Sequence, residues 1–508
     1  MSRLANSVRN IKVGTIGLLV SYLCSFISRK VFVVYLSAEY LGLNGLFSNI
    51  LSLLSLAELG VGSAICFSLY KPLAFKETYK IQALMQLYRK AYTIIGLAVL
   101  VVGLSFTPLL PYLLKDIPDI SNLGLLYSLY VVNSACTYFL SYKRTILIAD
   151  QKRYIDSLYY YSFQIIKNLL QIVVLIATRN YILFLAVMLV MTIIENLVIS
   201  NKVNSIYPFL KDKGKKELSR DEKFQIKRNV FALTFHKIGS VLVNGTDNIL
   251  LVKFVSLVSA GLYANYIMIQ SAITGIISII FSSITASVGN LSVEKESEGS
   301  KPVFDQLFFI SSWIFGFSAL CLLFLFNPFI SLWLGSEYLF SPGVVFVIVL
   351  NFYLSNMLRP VRTFKDSLGL FWADRYKSLF ESLINLVVSI FLAMHFGLIG
   401  VFIGTTVSNL ATCFWIEPYV LYKQGFNKPL GSYYVTYFVY SLVFVVAGFI
   451  TFGLLSLVEL DNHLLDFLAS MCICAIVPNL VFLIAFYRTS EFRNTILLFE
   501  KIMHHNKK

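Results

Sequence analysis

Apolar stretches long enough to cross a lipid bilayer recur along this sequence from one end to the other, and few folds accept that pattern. A helix crossing a hydrocarbon core near 30 Å needs roughly 20 apolar residues at about 1.5 Å rise each. Stretches of that kind fall at 11–36, 43–69, 90–114, 123–148, 155–178, 180–203, 229–255, 261–288, 303–327, 343–368, 378–396, 398–422, 431–457 and 464–487. In lipid every backbone polar group must be satisfied internally, which leaves helices or a closed barrel. Barrel strands would read as segments of about ten residues with alternating polarity, and these segments do not. The pattern therefore predicts an all-α polytopic membrane protein with about 14 transmembrane helices. Composition agrees, since only 14% of residues are charged against about 25% in soluble domains.

The basic start MSRLANSVRNIK leads into 11–36, which is too long for a signal-peptide core and ends in no small-residue cleavage site. It reads as a retained first span. The net charge of +15 would suit a nucleic-acid binder, but its distribution is topological. Of 42 lysines and arginines, only Lys115 and Arg179 fall outside when both termini are placed inside. Five more (Arg29, Lys30, Lys167, Lys237, Lys253) lie within spans. So strong a bias predicts cytoplasmic termini and no nucleic-acid partner. The seven cysteines sit almost entirely in apolar segments, without metal-type pairs, and read as small buried hydrophobes.

The chain also looks like itself. Laid over each other without gaps, the first and seventh spans align Arg9-Asn10 with Arg228-Asn229 and Gly42-Leu43 with Gly261-Leu262. Polar positions inside the spans coincide as well: Ser21 with Ser240, Ser25 with Asn244, Ser28 with Asp247, Arg29 with Asn248. A register one residue shorter aligns Arg144-Thr145 with Arg362-Thr363 and Lys167 with Asn385. Six spans is an even number, so both copies enter from the same side, a parallel repeat about an axis along the membrane normal. The expected architecture is a six-helix lobe (1–206), a basic cytoplasmic linker (207–228), a second six-helix lobe (229–423) related to the first by a pseudo-two-fold axis, and two extra helices with a cytoplasmic tail (424–508).

Polar side chains within a membrane helix are costly and face the bundle or a wet cavity. Span 1 carries Ser21, Ser25, Ser28 and Arg29 at helical spacing. Span 5 carries Gln164, Lys167, Asn168 and Gln171, and span 7 carries His236, Ser240, Asn244 and Asp247 flanked by Lys237 and Asn248. Serine rows in spans 2 and 8 suit ordinary small-residue packing, but stripes bearing Arg, Lys, His or Asp exceed what packing requires. The stripes predict a hydrated, net basic cavity for an anionic substrate, because Arg and Lys suit phosphate. Substrate contacts are expected at Arg29, Ser25, Lys167, Gln164, Gln171, His236, Lys237, Asn244 and Asn248. Asp247 stands almost opposite Arg29 in the repeat, and an ion pair that forms in one state and breaks in another would make it a gating residue. Glu58 and Glu195 read as isolated acids, each a candidate for Na⁺ or H⁺ coupling, with a structural hydrogen bond as the alternative. No nucleotide-binding, metal or catalytic motif occurs, so the chain is not expected to be an enzyme, to hold a catalytic or metal site, or to need a cofactor.

Three segments carry a family likeness: SRKVFVVYLSAEYLGLNGLFSNILSLLSLAELGVGSAI (28–65), NGTDNILL (244–251) followed by AGLYANY (260–266), and YKRTILIADQKRYI (142–155). Here the chain resembles Wzx-type polysaccharide flippases of the multidrug/oligosaccharidyl-lipid/polysaccharide exporter superfamily, over essentially its whole length. The resemblance implies two lobes that rock to give alternating access. It further implies an undecaprenyl-diphosphate-linked oligosaccharide repeat unit as substrate, flipped to the outer leaflet of the bacterial cytoplasmic membrane for capsule, O-antigen or exopolysaccharide assembly. Membrane lipid, a polysaccharide polymerase and a chain-length regulator are the implied partners, and spans 13 and 14 would shape a groove for the lipid tail. Two other readings stay open. A cation-coupled multidrug exporter of the same superfamily would favour an acidic cavity. A membrane polymerase or glycosyltransferase would need a large outer loop or an acidic pair, whereas the first outer turn has Glu39 alone.

Overall fold

The computed structural model describes residues 3–58, 60–113, 122–212, 214, 216–228, 230, 247, 249–294, 301–368, 370, 373–374, 376–458 and 460–505. Among them every regular element is helical, and twelve helices are long and apolar enough to cross a membrane. This is a multi-pass all-helical membrane protein. Two of the fourteen expected spans are missing from the twelve for different reasons. Span 7 lies largely outside the described residues, and span 2 is not one helix.

Met1–Ala264 and Asn265–Lys508 form two compact units. The first contains α1 (Arg3–Tyr35), α2 (Ala38–Leu54), α3 (Val61–Ala74), α4 (Thr78–Ser105), α5 (Leu123–Tyr138), α6 (Arg144–Ala149), α7 (Arg153–Thr178) and α8 (Tyr181–Ile206). Helix α1 packs along α7, which packs on α8, while α4 and α8 both pack on α5. The repeated Arg-Asn pair has a local task here. Arg9 stacks 5.0 Å over the Tyr154 ring, and Asn10 donates to the Gln151 carbonyl (3.2 Å) and accepts from the Tyr154 amide (2.6 Å). The start of α1 is thereby tied to the turn that opens α7.

Span 2 breaks because Gly60 takes a left-handed conformation (φ 74°) that only glycine adopts at no steric cost. Helix α2 ends in a 3₁₀ turn at Ser55–Glu58 and α3 starts afresh at Val61. The continuous helix expected over 43–69 is corrected accordingly: hydropathy registers LAELGVG as apolar and is blind to the helix break.

Helix α9 (Leu257–Glu294) begins against α2. A Cβ at Gly261 would lie 2.3 Å from the Ala38 carbonyl oxygen, and one at Gly42 would lie 2.1 Å from the Leu257 carbonyl oxygen. These are the two glycines that the repeat superimposes, and each lets backbone meet backbone where small residues alone permit such approach. Neither obstacle is a side chain that can swing aside. Gly261→Ala or Gly42→Ala is expected to lower the unfolding midpoint of the detergent-solubilised protein, as overpacking of about 1–3 kcal/mol does. Gly45→Ala, with nothing within 4 Å of its Cβ, is the control. Equal midpoints for all three would refute the close approach.

The second unit is built on α10 (Lys301–Trp333), with α11 (Pro342–Met357), α12 (Arg359–Ser367), α13 (Lys377–Phe396) and α14 (Leu398–Phe426, interrupted by two π turns). The two extra helices, α15 (Gly431–Leu455) and α16 (His463–Phe486), pack on α10. Tyr353 and Ser441 share a hydroxyl hydrogen bond of 3.0 Å, and the Trp313 indole N–H donates to Asn479 at 2.8 Å. A final helix, α17 (Ser490–His505), was not expected. It is too short and too polar to span, and docks by stacking Phe492 on Trp313.

Candidate functional site

The polar groups of the first unit form a column along α1, α7 and α8. At one end Arg144, at the start of α6, binds Glu195 of α8 at 2.5 Å and Asp156 of α7 at 3.3 Å. Glu195 is therefore an ion-pair partner and not the isolated acid expected. The guanidinium also reaches Asn196 at 3.4 Å, whose amide donates to the Cys136 carbonyl.

Further along, Lys167 of α7 lies within electrostatic reach of Glu195 and forms no hydrogen bond or ion pair among the described residues. Beside it the Asn168 amide donates to Ser25 of α1 at 3.1 Å, and Gln171 donates to the Phe184 carbonyl at 3.2 Å. Ser25 and Gln171 thus spend polar atoms on joining α1, α7 and α8. Gln164 is half-buried on the same helix.

Arg29 stands at the other end of the column. It lies within two turns of the α1 terminus at Tyr35, about 9 Å along the axis at 1.5 Å per residue. Its charge acts on Tyr130 and Tyr181, whose hydroxyls are 3.1 Å apart, on a shelf completed by Phe32 and Tyr40 against the Tyr181 ring. Arg29 has no carboxylate partner among the described residues. Asp247 interacts instead with Tyr263, so the Arg29–Asp247 pair is not formed in this conformation. His236, Lys237, Asn244 and Asn248 lie outside the described residues.

Glu58 sits at the break between α2 and α3, where the Tyr92 hydroxyl donates to its carboxylate at 2.6 Å. Tyr88 stacks edge-on against Tyr92 and accepts from Thr145 at 3.2 Å. Non-helical backbone at membrane depth is tolerated where it is buried in protein or lines a water-filled cavity.

The second unit repeats the ionic theme. Arg362, superimposed on Arg144 by the repeat, donates to Glu417 of α14 at 2.8 Å. Lys377 binds the other Glu417 oxygen and approaches Glu381 at 3.6 Å. Lys365 pairs with Asp374. Each unit thus holds an arginine from the segment before its fifth span on a glutamate of its sixth. The arginines were legible in the sequence. The pairing of the glutamates was not, because the ungapped register sets Glu195 on Cys413, one turn short of Glu417.

An apolar groove of about 430 Å³ runs between α10, α11 and α15. Leu320, Phe324, Phe346, Phe444 and Phe452 line it with Tyr353, whose hydroxyl is spent on Ser441.

The helical arrangement is similar to that of solved transporters, among them members of the MOP superfamily. In particular, it matches the lipid II flippase MurJ in an inward closed conformation with a TM-score of 0.65 at 15% identity, covering 94% of this chain and 98% of that one. It matches an inward-facing multidrug-resistance MATE transporter with a TM-score of 0.58 at 14% identity, covering 81% of this chain and 98% of that one. A third match is the Vibrio cholerae MATE transporter VcmN, with a TM-score of 0.58 at 13% identity over 84% of this chain and 99% of that one. The sequence matches no known protein family and no curated protein. At these identities the likeness establishes the fold.

Proposed function

We propose that this chain is a flippase that carries an undecaprenyl-diphosphate-linked oligosaccharide repeat unit from the cytoplasmic to the outer leaflet by alternating access, with both termini cytoplasmic. The observation that carries the reading is Arg29: a guanidinium within a membrane-spanning unit, facing tyrosines and lacking a carboxylate among the described residues. A charge so placed is costly until an anion meets it, and a diphosphate presents several acceptor oxygens to a guanidinium fork. Lys167 offers a second cation along the same column. In this reading Asp247 gates by pairing with Arg29 in another conformation, and Glu58 couples transport to Na⁺ or H⁺.

Two further observations favour a lipid-linked substrate over a drug. The MATE transporters match almost completely yet cover only 81% and 84% of this chain, whereas the lipid II flippase covers 94%. The excess is of the size that α15, α16 and α17 supply. The groove lined by α15 is apolar, as a polyprenyl chain requires. The cation-coupled multidrug exporter is the second reading, supported by Glu58, since a half-buried carboxylate beside a break in a membrane helix suits cation coupling.

Reconstitution separates them. In proteoliposomes, a fluorescent undecaprenyl-diphosphate oligosaccharide is expected to become accessible to an external quencher at a protein-dependent rate. A cationic dye is expected to stay where it was loaded. Dye movement without lipid movement would replace the flippase reading by the exporter.

A further inference from the structure

A second basic site lies apart from the column. At the end of the first unit where the linker emerges, α4, the turn at Tyr142–Lys143, the end of α8 and residues 210–212 enclose a cleft of about 1140 Å³. Arg89, Lys90, Lys143 and Lys211 all line it, and Asp212 is the one acid among the lining residues. That acid is already engaged. Its carboxylate accepts the Gly214 amide at 2.9 Å and faces Lys216 at 3.5 Å, and both hold it below the usual carboxylate range.

The cations are arranged and not merely adjacent. Lys143 is fixed by Ser200 (2.8 Å) and Asn204 (3.0 Å), and Arg89 lies close enough to repel it. Two glutamines of α4 clamp the linker across the cleft. Gln82 donates to the Phe209 carbonyl at 2.6 Å, and Gln86 donates to the Gly214 carbonyl (2.8 Å) and accepts from the Lys216 amide (3.2 Å). Positive-inside bias alone asks for basic residues near this end. It does not ask that like charges converge in a walled cleft.

The cleft's membrane-facing edge decides which anion it suits. Ile94 lines it and is 68% exposed, and Leu97 (50%) and Val101 (67%) continue from it along one face of α4. A ligand with an anionic head and an apolar chain meets both surfaces, whereas a soluble anion meets only the first. We infer that this cleft binds a phosphate-bearing anion, presented as the headgroup of an anionic phospholipid whose acyl chains lie along Ile94, Leu97 and Val101. Basic pockets between helices on a cytoplasmic face take such headgroups, each cation near the surface contributing about 1 kcal/mol.

The test is thermal unfolding of the full chain in detergent with added phosphatidylglycerol, phosphatidylcholine or inorganic phosphate. Phosphatidylglycerol is expected to raise the midpoint, and the other two are not. In Arg89→Gln/Lys90→Gln, both residues being exposed, apparent affinity should fall about fivefold per cation removed, which is that 1 kcal/mol as a ratio. Lys71→Gln/Lys76→Gln, two exposed cations elsewhere on the first unit, should keep the full effect. Stabilisation by phosphatidylcholine, or unchanged stabilisation of Arg89→Gln/Lys90→Gln, would overturn the site. Inorganic phosphate reproducing the shift would overturn the lipid as its source.

Discussion

Glu417→Gln is expected to destabilise the second unit by about 3–5 kcal/mol, the range for breaking a buried ion pair by removing one partner. The side chain is 1% exposed and takes Arg362 at 2.8 Å on one oxygen and Lys377 on the other. Neutralising it leaves the buried Lys377 facing the partly exposed Arg362 without a shared carboxylate, with Glu381 at 3.6 Å from Lys377 as partial compensation. The loss should appear as a large fall in unfolding midpoint, or as protein that no longer purifies as a single species. Two comparisons separate electrostatics from shape. Glu195→Gln should cost less, because Arg144 keeps Asp156 at 3.3 Å. Lys377→Met added to Glu417→Gln should recover part of the loss, because one of the two stranded cations is gone. A midpoint for Glu417→Gln within a degree of the parent would show that Glu417 contributes no net stability.

What the sequence could and could not reveal follows from what hydropathy measures. It reports which residues prefer lipid, so twelve of the expected spans overlap helices long and apolar enough to cross a membrane, as span 464–487 does His463–Phe486. It does not report the left-handed turn at Gly60, which breaks span 2. Nor does it report a helix whose apolar face is a minority of its residues, and so α17 went unseen although Phe492 docks on Trp313. Repeated rare residues carried more. Gly42 and Gly261 proved to be points of backbone contact, and Arg144 and Arg362 proved to be centres of ion pairs. Partner identity was the missing part, because Glu195 and Glu417 meet their arginines across more than 50 residues of chain.

For the candidate site the depth of Arg29 was already legible, because it stands well past the middle of the expected span 11–36. In the structure α1 starts at Arg3 and ends at Tyr35, so Arg29 belongs to the half remote from the N-terminus. Under the proposed topology that half faces outward. Arg29 would then hold the diphosphate late in its passage, after Lys167, and with Tyr130 and Tyr181 as hydroxyl donors beside it.

Arg29→Gln is accordingly expected to slow flipping of the labelled lipid-linked oligosaccharide about 10- to 100-fold, the equivalent of a charged hydrogen bond worth about 1.5–3 kcal/mol. Arg29→Lys, which keeps the charge but loses the bidentate fork, should fall between the two. The distinguishing readout is stability. Glu417 neutralises two cations and its loss should unfold the protein. Arg29 is itself a charge without a carboxylate among the described residues, so its replacement by a neutral side chain should leave the unfolding midpoint unchanged or raise it. A variant that flips slowly yet unfolds no earlier assigns Arg29 to the substrate. One that loses flipping and stability together assigns it to the scaffold. Unimpaired flipping removes the residue on which the anionic reading rests. The gating role of Asp247 is tested on the same scale: if the pair forms in another conformation, Arg29→Asp/Asp247→Arg should recover flipping that each single exchange loses, and a double variant that recovers none would remove the gating role.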